Sequence, residues 1–189
     1  MILLVIAIAG AGSGEVAAAP TGTRADVEAR LQKAAHPLSA TEVGELGASG
    51  GGLLAQIADD KAAPAPIRLR AMDALTYVRT PATRAFLENF VIRKRPSSDA
   101  IDRALLRKAA MALGWQGGPR SVEAVAALLD HADPEVRLDA VLALGLTRAR
   151  GAEKPLRDRL AVEPDAAVRA QIENQLKVIV GPTDSANAK

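Results

Sequence analysis

The sequence contains no cysteine, which excludes disulfide bridges, thiolate metal sites and a cysteine nucleophile. Aromatic residues make up only 2% of the chain, whereas a β-sandwich or barrel needs aromatic and β-branched residues in alternation. Apolar residues nevertheless reach 49%, largely as alanine, leucine and valine, which suit closely packed helices. The composition therefore predicts an all-α protein.

The chain also lacks a strong excess of either charge. Its formal net charge is +2, and basic and acidic residues are interspersed along it. Nucleic-acid-binding proteins usually concentrate basic residues on one face or one helix. The densest basic run, residues 93–95, precedes Pro96 and suits a helix C-terminus, where cations complement the dipole. We therefore predict no nucleic-acid partner.

The N-terminal residues predict a targeting segment. Residues 2–9, ILLVIAIA, form an apolar run that is shorter than the roughly 20 residues needed to span a bilayer. Small residues follow, and the pattern resembles a secretory signal peptide over residues 1–18, cleaved after Ala18. The protein is then exported to the periplasm or secreted, with residues 19–23 as a linker. The alternatives are an uncleaved anchor, which would be the chain's sole membrane contact, or a core helix of a cytoplasmic protein.

Four stretches of the chain align as internal repeats. They are IRLRAMDALT from residue 67, LLRKAAMALG from 105, VRLDAVLALG from 136 and VRAQIENQLK from 168. Core positions recur at a spacing of four residues, which places them on one face of a helix. The last core column consists of leucines: Leu75, Leu113, Leu144 and Leu176. Each stretch is therefore predicted to be a helix of a repeat array.

Two charged columns accompany the core positions. The first comprises Asp102, Asp133 and Asp165, which precede the helices where a carboxylate caps free N–H groups. The second comprises Arg68, Arg137 and Arg169. Because Asp133 and Asp165 each stand four residues before an arginine, both columns are predicted to be structural.

Second helices are predicted between the aligned ones, over residues 81–94, 119–131 and 153–162. A helix pair of this kind cannot bury its apolar face alone and must stack on its neighbours. We therefore predict a short α-solenoid of about four to five helix pairs. Residues 61–180 hold the repeats, residues 24–60 an irregular helical cap or first repeat, and residues 181–189 a disordered tail.

The stretch ADPEVRLDAVLALG, residues 132–145, followed by a turn and an amphipathic helix, resembles the HEAT-like repeats of phycobilisome lyases. The resemblance implies a right-handed α-solenoid whose second helices line a concave surface, and a scaffold or adaptor that binds another protein. The candidate contacts are the residues of the second helices that helical periodicity places on the exposed side. They are Arg84, Glu88, Arg95, Asp130, Lys154 and Asp158.

One cluster of residue types that can ligate a metal occurs in the chain: His131, Asp133 and Glu135. These residues fall at the boundary between two helices, and the repeat columns account for Asp133. HEAT-type di-iron hydroxylases use paired His-Glu motifs, and this sequence has no His-Glu pair. We therefore expect no catalytic residue, no metal and no cofactor, and a non-enzymatic, protein-binding scaffold in the cell envelope.

The alternative is an accessory or lyase-like subunit of an enzyme that holds a prosthetic group or a client protein. Such a site would need a cavity with aromatic walls, for which Tyr77 and Trp115 are candidates. In the alignment of the repeats, both residues occupy the same position as Leu146 and Val178, which is two residues after the core leucine. The sequence therefore predicts that they pack at the corner between helices.

Overall fold

The computed structural model describes residues 22–180, and all of the regular elements in this range are helices. The α-helices are α1 Arg24–Lys33, α2 Ala40–Gly44, α3 Gly50–Asp59, α4 Ala65–Ala74, α5 Pro81–Lys94, α6 Ala100–Gln116, α7 Pro119–Ala126, α8 Pro134–Thr147, α9 Glu153–Leu160 and α10 Ala166–Val180. Short 3₁₀ turns extend α4 over Leu75–Tyr77 and α7 over Ala127–Asp130, and a third, Arg150–Ala152, leads into α9. The predicted signal segment and tail lie outside the described residues.

The all-α prediction is confirmed, and the second helices lie close to where the pattern places them. Helix α5 has the predicted bounds, while α7 with its 3₁₀ turn ends one residue early and α9 two residues early. Among residues 22–180, no helix is both long and apolar enough to cross a membrane.

The helices form two layers. The first, here called the inner layer, contains α4, α6, α8 and α10, and the outer layer contains α3, α5, α7 and α9. Packing within the inner layer is closer: α6 packs along α8 more extensively than α5 packs along α7. At Gly114 of α6 an added Cβ would lie 2.7 Å from the carbonyl oxygen of Ala143 in α8, so the two backbones touch.

The inner layer is built from the helices of the aligned stretches, and the outer layer is built from the second helices. The resemblance places the concave side at the second helices, and this assignment stays a prediction. The core lies between the layers, and the four aligned leucines, Leu75, Leu113, Leu144 and Leu176, are buried in it.

The two ends of the described array differ from its middle. At the start, helix α1 begins with a capping box at Thr23 and buries Val27 and Leu31. The five-residue helix α2 begins with a second capping box at Ser39. At the other end, α10 buries one apolar face but exposes Glu173 and Asn174. A polar outer surface is typical of the last repeat of an array.

Candidate functional site

The inner helices begin at equivalent capped turns. The Asp133 carboxylate accepts a hydrogen bond from the Glu135 N–H at 2.9 Å, and the Asp165 carboxylate accepts one from the Ala167 N–H at 2.9 Å. Both residues therefore cap helices, as predicted. For Asp102 the prediction is wrong, because Asp99 is the N-cap residue of α6 and accepts from the Asp102 N–H at 2.8 Å.

The difference arises from helix length. Helix α6 has 17 residues and α8 has 14, so α6 begins about one turn earlier relative to its core leucine. Asp102 therefore lies in the first turn of α6, where it is buried. Its carboxylate accepts hydrogen bonds from Lys94 Nζ at 3.0 Å and Ser97 Oγ at 2.9 Å, and Arg68 Nη2 lies 3.8 Å away.

A second column of turn residues precedes the caps. Two positions before each cap, a side chain accepts the backbone N–H of the cap residue: Ser97 Oγ at 3.3 Å, His131 Nδ1 at 3.0 Å and Glu163 Oε1 at 2.9 Å. His131 is thus a buried residue of the turn. Within residues 22–180, His, Cys, Asp and Glu side chains form no group of three or more that could hold a metal ion.

A buried ion pair with two parallel hydrogen bonds links two of these turns. Arg137 donates to Glu163 through two parallel bonds, Nε to Oε2 at 2.9 Å and Nη2 to Oε1 at 2.7 Å. Its Nη1 donates to the carbonyl oxygens of His131 and Ala132 at 2.9 and 3.0 Å. Arg159 Nε donates to the same carboxylate at 2.7 Å. The exposed fractions of the Arg137 and Glu163 side chains are 7% and 0%.

The aligned arginines differ in their contacts according to their place in the array. Arg137 and Arg68 both reach a carboxylate at the next turn along the chain, since Arg68 lies beside Asp102 and also donates to the Ala58 carbonyl at 3.2 Å. Arg169 stands in the last repeat, is exposed, and forms no salt bridge with the described residues. Arg68 and Arg137 therefore join successive repeats, and Arg169 does not.

Glu163 makes the stability of the fold depend on pH. Burial alone would raise the pKa of its carboxyl, but hydrogen bonds from Arg137, Arg159 and the Asp165 N–H lower it from 4.5 to about 2. Because the folded pKa is the lower one, the stabilisation is complete above pH 4.5 and is lost as the pH falls through 2. We expect urea unfolding at a series of pH values to show this loss. The variant Glu163→Gln, which cannot titrate there, should show a smaller dependence.

The solvent side of the inner layer, here called the inner face, carries one stripe of residues per helix. On α6 the stripe is Ala104, Lys108, Met111 and Trp115, and on α8 it is Glu135, Asp139, Leu142 and Leu146. These spacings of three and four residues keep a stripe on one side of a helix. Part of the inner face forms an open cleft of about 390 Å³, lined by Asp73, Lys108, Met111 and Asp139 among others.

The last residue of each stripe is apolar and exposed. The exposed fraction is 50% for Tyr77, 54% for Trp115, 36% for Leu146 and 54% for Val178. This corrects the prediction that they pack at a corner between helices. Each stands two residues after a buried core leucine, and two residues rotate a side chain by about 200°, away from the core. We call these four residues the apolar strip.

Ion pairs occupy the middle of the inner face. Lys108 Nζ of α6 lies 2.7 Å from the Asp73 carboxylate of α4. Arg107 of α6 reaches α8, with Nε 2.6 Å from Asp139 and Nη1 2.6 Å from Glu135. The pairs join three neighbouring helices and neutralise most of the charge between them.

The six candidate contact residues of the second helices fall in three places. Arg84 and Glu88 lie in the groove between α5 and α7, where Ser121 Oγ donates to Glu88 at 3.2 Å. Arg95 and Asp130 line an open cleft of about 450 Å³ between two turns. Lys154 and Asp158 form an exposed pair with each other, 2.6 Å apart, on α9. All six residues lie on the outer helices or at their ends, and their role in binding stays a prediction.

Comparisons with known proteins agree with this architecture. Residues 98–177, which include α6 to α9 and most of α10, match the family model described as HEAT repeats. The protein is thus a helical-repeat protein, an α-solenoid with HEAT-like helix pairs. No curated protein sequence matches the chain.

One similar solved structure is human deoxyhypusine hydroxylase in complex with glycerol, with 24% sequence identity and a TM-score of 0.57. The likeness covers 69% of this chain and 43% of the hydroxylase chain, so the protein matches less than half of that structure. At this identity the likeness shows the fold alone.

Proposed function

We propose that the protein is a non-enzymatic scaffold that binds another protein through its inner face. The observation that carries this proposal is the apolar strip, in which four successive helices each expose an apolar side chain at one register. Contiguous exposed apolar surface bordered by polar residues is typical of protein-binding sites. The partly exposed Met111 and Leu142 widen the strip towards the middle of the face.

The remainder of the inner face also suits a protein partner. The cleft beside the strip is open to solvent, and its charged groups are largely engaged in ion pairs between helices. Small-molecule sites are usually concave pockets that bury most of the ligand. A protein surface, by contrast, can cover an extended and open face.

Site-specific photocrosslinking in the source cells tests the scaffold function. A photoreactive phenylalanine analogue at Met111 or Leu142, on the inner face, should yield protein adducts. The same analogue at Glu123, exposed on the outer helix α7, is the matched control. Absence of protein adducts from every position would contradict the proposal. Purification of a coloured or mass-shifted chain would instead favour the accessory or lyase-like role.

We also propose that this scaffold acts in the cell envelope, on the strength of the apolar run at residues 2–9 and the small residues after it. N-terminal sequencing of the purified protein tests this localisation. A mature chain that begins at Ala19 would support export with cleavage after Ala18. An intact Met1 on a chain found in the soluble cytoplasmic fraction would contradict it.

A further inference from the structure

We infer that the partner contributes an acidic amphipathic helix, which lies across the apolar strip with its carboxylates against a row of arginines beside it. This inference rests on the proposed function and adds the chemistry of the partner. Two independent features carry it: the register of the strip and the unequal charge of the two edges of the array.

The spacing expected for the strip matches that of a bound helix. Packed helices lie about 8–10 Å apart, so we expect an interval of this size between successive members of the strip: Tyr77, Trp115, Leu146 and Val178. A helix rises about 10 Å over seven residues. A partner helix that crosses the inner layer therefore presents one apolar residue per heptad to each member of the strip, as helix-in-groove recognition requires.

The edge beside the strip is basic. Exposed arginines stand in the connections that follow α4 and α8 and in the first turn of α7, beyond the apolar strip along the chain. We call these residues the arginine row: Arg79, Arg120, Arg148 and Arg150. None of them forms a salt bridge with another residue in the range 22–180.

At the opposite edge, where the inner helices begin, most basic side chains pair with acidic residues of the protein, whereas Arg95 and Lys61 form no salt bridge with the described residues. Arg93 lies 2.8 Å from Asp59, Lys94 pairs with Asp102, and Arg159 lies 3.3 Å from Asp130. The two edges are built from similar turns, so helix termini alone do not explain the contrast. The arginine row provides positive charge without internal counter-ions, which complements carboxylates on a partner.

An anionic membrane is the competing occupant, since aromatic residues and arginines also suit a lipid surface. The ion pairs on the other side of the strip argue against it. Insertion of Trp115 and Leu146 into a bilayer would bring the Arg107–Asp139 and Lys108–Asp73 pairs towards hydrocarbon, where charges are strongly disfavoured. A partner helix fits both sides of the strip if one of its flanks carries carboxylates, which face the arginine row. Its other flank then carries neutral polar residues, which face the ion pairs.

Trp115 reports directly on the site because it is the protein's one tryptophan. The probe is a synthetic amphipathic helix of about three heptads with leucine on its apolar face and glutamate on one flank. We expect it to shift Trp115 emission to the blue and to shield Trp115 from acrylamide. A matched probe with lysine in place of each glutamate should bind at least about tenfold more weakly.

Paired variants of the full chain assign the effect to the strip and the arginine row. The double variant Arg148→Glu and Arg150→Glu should weaken binding of the glutamate probe about tenfold, whereas Arg95→Glu, at the opposite edge, should leave it unchanged. Leu146→Glu should abolish binding. Ile92→Glu, which alters an exposed apolar residue of α5 at 61% exposure, should not.

Several results would overturn the inference. Equal affinity for the two probes would remove the charge preference, and an unchanged Trp115 emission with both would remove the site. A shift produced only by phosphatidylglycerol vesicles would assign the strip to a membrane, and sedimentation that depends on concentration without probe would assign it to a second copy. Crosslinks from Met111 with no preference for the glutamate probe would leave the scaffold function standing and reject the acidic helix.

Discussion

Replacement of Glu163 with alanine is expected to destabilise the fold by about 3–5 kcal/mol, the usual result of removing one partner from a buried ion pair. The carboxylate is fully buried and accepts hydrogen bonds from Arg137, Arg159 and the Asp165 N–H. The variant leaves the Arg137 guanidinium buried without a counter-ion and removes the link between two turns. Urea unfolding followed by circular dichroism at pH 7 measures the loss.

A matched control separates burial from charge. Asp158→Ala also removes a carboxylate that pairs with a cation, but the Lys154 and Asp158 side chains are 82% and 62% exposed. An exposed pair of this kind contributes less than about 1 kcal/mol. Similar losses for Glu163→Ala and Asp158→Ala would show that the buried pair does not hold the turns together.

The second large effect is expected from Gly114→Ala. In an ordinary helix this change stabilises, because alanine favours the helix over glycine by about 1 kcal/mol. At Gly114, however, the new Cβ would lie 2.7 Å from the carbonyl oxygen and 2.9 Å from the Cα of Ala143. The backbone cannot swing aside as a side chain does, so α6 and α8 must separate. We expect a net loss of about 1–3 kcal/mol in thermal or urea unfolding.

Two other glycines provide the comparison. Gly52→Ala in α3 has nothing within 4 Å of the added Cβ, and it should stabilise the protein by about 0.5–1 kcal/mol. At Gly145 the added Cβ would meet the end of the Gln175 side chain, which can rotate away, so a smaller loss than at Gly114 is expected. If Gly114→Ala proved as stable as Gly52→Ala, the close approach of α6 and α8 would be wrong.

The helices and the core could be predicted from the sequence because both follow from local patterns. Apolar residues at intervals of three and four define one face of a helix wherever it packs. The caps at Asp133 and Asp165 are also local, since each carboxylate bonds an N–H two residues along the chain. Features of this kind depend on a few neighbouring positions only.

The features that the sequence did not reveal depend on contacts between repeats. Glu163 aligns with His131 and Ser97 by its place before the cap, but its ion pair with Arg137 spans 26 positions. Helix α6 begins with an extra turn that leaves the positions of its core residues unchanged. An alignment of the core residues therefore does not show this turn. The exposure of Trp115 is different, because it follows from a local property: Trp115 stands two residues after the core leucine Leu113, so the sequence already contained this signal.

The position of the repeats along one axis also affects how the protein opens. Because each helix pair contacts only its neighbours, the terminal pairs are held from one side and the central α6 and α8 from both. Amide hydrogen exchange should therefore be fastest at the ends and slowest in the middle. A partner that reaches from Tyr77 to Val178 would hold the last helix pair, α9 and α10, against the centre of the array. Binding should therefore slow amide hydrogen exchange in α9 and α10.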